Sequence, residues 1–282
     1  MMKYKISILL LVVTLAISCK EEKEIQTMWI YQKTIQLADV FPIGIAQEAN
    51  TLWLSDGDNN RLVQINTDGA ILKTIDSLDR PMHIDVSSNT LYIPQYGNDR
   101  ILSYTNGLKE TMQMTDSLDA PAGISVVGNQ IAIADFYNNR ILFKEKDTWL
   151  SIGKKGNSAG SFYYPTDVQI TDSLIWVADA YNNRIQVFDK KGKFIRMLGE
   201  DQNMNAATGV YVSKDEVFVT DFENNRVLIF NKEGDLQQII SDHIHNATDV
   251  LKADDTLFVV NYRKGELVVY TKKGVKEKSS KP

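Results

Sequence analysis

Three side chains of this sequence have the types and placement to hold a cation. His83, Asp167 and Asp249 each stand two positions after a recurring Pro or Ala, in "RPMHIDV", "YPTDVQI" and "NATDVLK". One imidazole and two carboxylates with positions left open form a ligand set for a divalent metal. Such a metal would polarise a bound carbonyl or acidify a water. A plainer use competes: an Asp at a strand start satisfies nearby backbone N–H groups, and His83 can be simply solvated. His243 and His245 in "DHIHN" make a second pair, with no evident third ligand. The sequence has no phosphate-cradling Gly loop and no Cys-x-x-Cys.

The elements that must position these residues are written as a repeat. "DGDNNRLVQI" (56–65), "QYGNDRILSY" (95–104), "DFYNNRILFK" (135–144), "DAYNNRIQVF" (179–188) and "DFENNRVLIF" (221–230) are variants of one stretch. Aligned on Arg61, Arg100, Arg140, Arg184 and Arg226, they step by 39, 40, 44 and 42 residues. A sixth, degenerate copy, "NYRKGELVVY", carries Glu266 in the Arg place. A second marker runs in phase: Pro42, Pro81, Pro121 and Pro165, then Ala207 and Ala247. A period of this length signals a repeat architecture.

In the fourth copy, "DVQIT", "LIWVAD", "RIQVFD" and "FIRML" read as strands, separated by "DS", "AYNN" and "KKGK". Alternation, β-branched residues and turn punctuation fit strands, and no long helical period appears. Four antiparallel strands in about 40 residues make a propeller blade. The fold class is therefore all-β, a six-bladed β-propeller. The sixth unit has three strands before the charged "TKKGVKEK". "WIYQKTIQL" is unassigned, and its "KTI" mirrors the "KTI" at 73–75. Residues 29–37 are expected to supply the outer strand of blade six and so close the ring, because an open ring leaves unpaired edges.

The units resemble NHL repeats: Pro, then Gly or Asp, alternating apolars, "ADxxNNRI", an apolar strand and a Gly turn. The resemblance covers about residues 42–271, and "IGKKGNSAGSFYYP" (152–165) resembles the NHL inter-blade loop. Gln95 replaces Asp in copy two, and copy six lacks the Arg. Two Asn tolerate left-handed backbone in a tight loop. An Arg binds carbonyls or the Asp through fixed donors. Arg61, Arg100, Arg140, Arg184, Arg226, Asp56, Asp135, Asp179 and Asp221 are read as scaffold.

Chemistry is sought where the copies differ. Two residues after the marker stand Gly44, His83, Gly123, Asp167, Gly209 and Asp249. The three polar ones, about 120° apart on a six-fold ring of inner strands, converge on the axis. Resemblance sharpens this reading. Peptidyl-hydroxyglycine lyases resemble NHL propellers and bind zinc in the channel, and gluconolactonase-like propellers hold a divalent ion on the axis. The lyase-type set of three His is missing here. At the channel mouth the second strands end on Asp56, Gln95, Asp135, Asp179, Asp221 and Asn261, followed by Tyr96, Phe136, Phe222 and Tyr262, with Tyr181 and Arg263 one further on. This predicts a mouth acidic within and rimmed by aromatics, which are common anchors for partners.

The chain's ends carry other signals. "MMKYKISILLLVVTLAISC" has a basic start, a short apolar run and a lone Cys19, and it reads as a signal segment over 1–18. "LAISC" resembles a bacterial lipobox, which implies lipidation of Cys19 and membrane anchoring. "KEEKE" resembles the export signal of Bacteroidota surface lipoproteins. The expected organisation is signal 1–18, tether 19–27, propeller 28–274 and tail 275–282. An outer-membrane lipoprotein facing the periplasm or displayed on the surface is implied. Net charge is −5, and loss of Lys3 and Lys5 with the signal leaves 29 basic against 36 acidic residues. That balance argues against nucleic acid. With Cys19 lipidated, disulfides and thiolate catalysis fall away. "DSL" at 76–78, 116–118 and 172–174 and "DTL" at 255–257 resemble a Bacteroidota O-glycosylation signal, at Ser77, Ser117, Ser173 and Thr256.

A monomeric, lipid-anchored binding module is expected, holding a protein or glycan at its mouth. A metal-dependent lyase or lactonase and a structural part of an envelope complex are the alternatives. No cofactor is implied beyond a divalent metal in the channel.

Overall fold

The computed structural model describes residues 26–275, and their strands form six four-stranded antiparallel sheets. Five sheets are built in chain order from the axis outward, as in Pro165–Ile170, Leu174–Asp179, Arg184–Asp189 and Phe194–Leu198. The sixth begins with Ala247–Ala253, Thr256–Asn261 and Glu266–Val275 and is completed by the first strand, Gln26–Gln36. The expected clasp is present. It starts two residues inside the predicted tether. "TKKGV" is not left over as a tail but extends the third strand and pairs with 26–30. The signal segment, Cys19 and most of the C-terminal tail lie outside the described residues.

The blades stack through their faces, which explains the apolar runs. A strand covered on both sides needs no polar face, and "LIWVAD" is buried from Ile175 to Asp179. Each of the six gaps between neighbouring blades holds one apolar cluster, such as Trp176, Val187, Val210 and Phe230 between blades four and five. Outer strands are exposed, as Leu108–Thr111 shows.

The inner strands carry a register shift at the Pro/Ala marker in blades three to six, for example between Pro165 and Asp167. Such bulges re-aim a side chain next to a site. Here they precede the residues that form the waist of the channel. Thr hydroxyls one position earlier link blade to blade: Thr166 Oγ1 donates to Thr208 O at 2.8 Å and Thr208 Oγ1 to Ala247 O at 3.2 Å.

Candidate functional site

The blade corners explain the recurring motif. Arg61, Arg140, Arg184 and Arg226 each donate Nε to Asp56, Asp135, Asp179 and Asp221 at 2.7–2.9 Å. Their outer nitrogens reach carbonyls of the inter-blade loop, such as Arg140 to Ser117 O and Arg184 to Ser158 O, both 2.9 Å. The other oxygen of each Asp accepts a backbone N–H, as from Tyr163 to Asp179 at 2.8 Å. The two Asn divide the labour. The first gives Nδ2 to the Asp, as Asn182 does at 2.9 Å. The second sits at positive φ, 52–57° in Asn60, Asn139, Asn183 and Asn225. Its Oδ1 accepts an N–H from the next unit: Arg80, Tyr164, Ala206 and Asn246 respectively, at 2.8–3.0 Å.

Two corners depart from this. In blade two Gln95 accepts from Asp79 N at 2.8 Å, but Arg100 is exposed without a carboxylate partner, and Asn98 Oδ1 is buried and unsatisfied. Arg100 therefore lacks the ion pair of its counterparts because the residue opposite it is neutral. In blade six the roles invert: Asn261 Nδ2 donates to Glu266 Oε2 at 3.0 Å, and Gly265 takes the left-handed position at φ 60°.

This arrangement corrects the expected acidic mouth. Asp56, Asp135, Asp179 and Asp221 are fully buried and turned into the corners, away from the channel. The aromatic part of the expectation is where the channel opens. Tyr96, Phe136, Tyr181, Phe222, Tyr262 and Arg263 all line one cavity of about 590 Å³. On one side Phe136 stacks on Tyr164 at 4.7 Å, and Tyr164 on Tyr163 at 4.4 Å. Tyr96 and Tyr181 meet Phe136 edge-on at 5.6 and 6.3 Å. Tyr181 and Tyr137 remain 59% and 48% exposed on this platform. The Arg80 guanidinium lies 5.1 Å over Tyr96 and that of Arg263 lies 5.2 Å over Phe222. Neither Arg makes a salt bridge among the described residues. Tyr262 donates its hydroxyl to Asp58 Oδ2 at 2.6 Å, and burial followed by this bond pushes the Tyr262 hydroxyl up to about 12. Sequence reasoning missed Arg80, Tyr137, Tyr163 and Tyr164. They sit beside the two markers, where the copies differ most.

Below the mouth lies the waist. Ligand atoms of His83, Asp167 and Asp249 fall within 4.8 Å of one another, and all three residues are buried. Each Asp spans two blades through backbone N–H groups. Asp167 accepts from Val168 at 2.8 Å and from Val210 at 2.9 Å; Asp249 accepts from Val250 at 2.7 Å and from Ile45 at 3.0 Å. Asp85 plays that part in blade two, accepting from Val86 at 2.8 Å and Val126 at 2.6 Å. The "DV" pair is displaced by two residues there, and His83 fills the place it vacates. Burial lowers the proton affinity of His83, but Asp167 and Asp249 outweigh it and raise its pKa. Burial first, with Asp249 adding to it, pushes Asp167 up to about 7, and burial pushes Asp85 up to about 6. Glycines complete the waist. A Cβ on Gly123 or Gly209 would come within 2.7 or 2.6 Å of the carbonyl oxygen of Thr166 or Thr248.

The remaining candidates are scattered. His243 stacks on Tyr31 at 3.8 Å, and the His245 backbone N–H is held by Asn261, so the pair has no common target. Ser77, Ser117 and Ser173 are exposed and Thr256 is half-buried, on separate blades.

The NHL repeat family model matches residues 162–188 and 204–230, the inner three strands of blades four and five. No curated protein matches the chain. Among solved structures, a streptogramin B lyase is 15% identical with a TM-score of 0.65, over 91% of this chain and 89% of that one. A gluconolactonase from Xanthomonas campestris is 15% identical with a TM-score of 0.70, over 85% and 89%. The WD40 propeller domain of Doa1 is 13% identical with a TM-score of 0.63, over 84% and 79%. At such identities the likeness is one of fold, and chemistry does not follow from it. Six sheets around a channel and a repeated Asp-Asn-Asn-Arg corner make the protein a six-bladed β-propeller, two of whose blades match the NHL repeat.

Proposed function

We propose that the protein is a lipid-anchored envelope propeller that binds a protein or glycan at its channel mouth. The observation that carries this reading is the 590 Å³ cavity, lined by aromatic rings with the Arg80 and Arg263 guanidinium groups lying over two of them. Aromatic faces hold sugar rings or apolar side chains, and stacked guanidinium groups free of carboxylates accept anionic groups. The ligand chemistry that fits is a ring-bearing or apolar surface next to a carboxylate, phosphate or sulfate. Cys19 in its lipobox-like setting supports anchoring in the outer membrane. WD40 propellers offer a precedent for the fold alone.

A metal-dependent lyase or lactonase is the second reading, favoured by the convergence of His83, Asp167 and Asp249. These residues are buried beneath the mouth and already bridge blades, so the binding reading is preferred. Glycan and peptide arrays probed with the full chain decide between them, with Phe136→Ala and Tyr181→Ala alongside. Saturable binding that weakens at least tenfold in both variants supports the module. Turnover of a lyase or lactone substrate, or binding indifferent to both substitutions, overturns it.

A further inference from the structure

The floor of the channel gathers three carboxylates, those of Asp85, Asp167 and Asp249, around the single imidazole of His83. A second cavity of about 300 Å³ opens on the far side of the waist and is lined by Asp85, Asp167 and Asp249, with no Lys or Arg in its walls. His83 stands beside two of these carboxylates but is poorly placed to bond to them. Its Nδ1 lies 3.3 Å from Asp249 Oδ2 without the alignment of a hydrogen bond, and it is buried without a partner, the side chain 4% exposed. An orphaned buried nitrogen is costly, and it faces two carboxylates that have lone pairs to spare. Each Asp oxygen accepts one backbone N–H, and a carboxylate offers about four acceptor positions.

We infer that His83, Asp167 and Asp249 hold one divalent first-row metal ion, a structural clasp between blades two, four and six. The donor set favours such an ion: imidazole with carboxylate suits zinc, manganese or ferrous iron, whereas calcium takes oxygen ligands throughout. In a tetrahedral site with bonds of about 2.0–2.2 Å, ligand atoms stand about 3.3–3.6 Å apart. The present spread of 4.8 Å closes when each ligand atom moves inward by about 0.7 Å. Two charges on the ion balance the two carboxylates, and the His83 nitrogen gains the partner it lacks. The lower cavity supplies the way in and room for water on the remaining positions. The site is separate from the mouth and stands or falls independently of it.

The test uses the full chain, dialysed against EDTA and titrated calorimetrically with zinc chloride and with manganese chloride. One ion per chain is expected, with Tm raised by about 5–10 °C at a hundredfold excess over Kd. His83→Gln and Asp167→Asn should each weaken binding at least tenfold, while His243→Ala binds like the parent. The Asn variant keeps an oxygen for a backbone N–H, so the ring has a reason to stay closed; circular dichroism checks this. Absence of saturable one-to-one binding by the parent chain overturns the inference whatever the variants do. So does binding unchanged in folded His83→Gln and Asp167→Asn, or binding lost in His243→Ala.

Discussion

Arg184 and Arg100 occupy the same place in the repeat and live in different chemistry. Arg184 is buried and bonded to Asp179 and three loop carbonyls; Arg100 is exposed beside the neutral Gln95. The difference lies in one residue, so it can be repaired. Gln95→Asp places a carboxylate in the register where Asp135 meets Arg140. It should engage Asn98 and Arg100 while still accepting from Asp79 N. A gain of about 0.5–1 kcal/mol is expected, limited by the exposure of Arg100, and a urea midpoint shift at unchanged slope would record it. A loss of stability would show that blade two's corner has another geometry. The glycines of the waist make the opposite prediction. The Cβ of Gly209→Ala meets backbone, Thr248 O at 2.6 Å and Asp249 Cα at 3.0 Å, which no rotamer can relieve. Overpacking of this kind costs about 1–3 kcal/mol, read as a Tm lower by several degrees.

At the scale of elements, the first strand does the work of closure. Trp29 is 3% exposed, packs edge-on to Phe218 at 5.6 Å and gives its indole N–H to Glu216 at 3.1 Å, so it ties blade six to blade five. Trp29→Ala should cost about 3–5 kcal/mol. The freed edge of Glu266–Val275 should make the variant aggregate on heating, seen by light scattering. An unaltered Tm would mean that the clasp is dispensable. This strand was legible in the sequence because "KTI" repeats an outer strand elsewhere, and the blades were legible because markers recur in phase. The separate duties of the two Asn were not. Position one and position two are the same residue type, and only the neighbouring blade tells them apart. The acidic mouth was misread for a related reason: strand order placed Asp56 and its counterparts at the right end of the channel, but side-chain direction depends on a partner five residues on. The displacement of "DV" in "MHIDV" was likewise hidden, since Asp85 and His83 exchange roles only once Val126 is seen beside them.

For the whole molecule the consequence is a channel divided at its waist. The mouth cavity and the lower cavity share no lining residue, and between them lie His83, the two aspartates and the glycines. Blades bond to one another through main-chain groups at every corner, so the ring is stiff and has little means of passing a side-chain change across the waist. Two perturbations, one on each side, should therefore act independently. Tyr181 is exposed on the platform, so Tyr181→Ala should weaken ligand capture and leave the unfolding midpoint within about 0.5 kcal/mol of the parent. Asp249→Asn should lower the midpoint, because it disturbs a buried bridge to Ile45 N, and leave capture at the mouth within twofold. In the double variant the two stability changes should add to within about 0.5 kcal/mol. Denaturation curves and array binding on the four proteins measure this. A larger coupling would mean that occupancy of the mouth is felt at the waist. The propeller would then be a conduit between its two faces, with its ligand and its axial charge linked in one equilibrium.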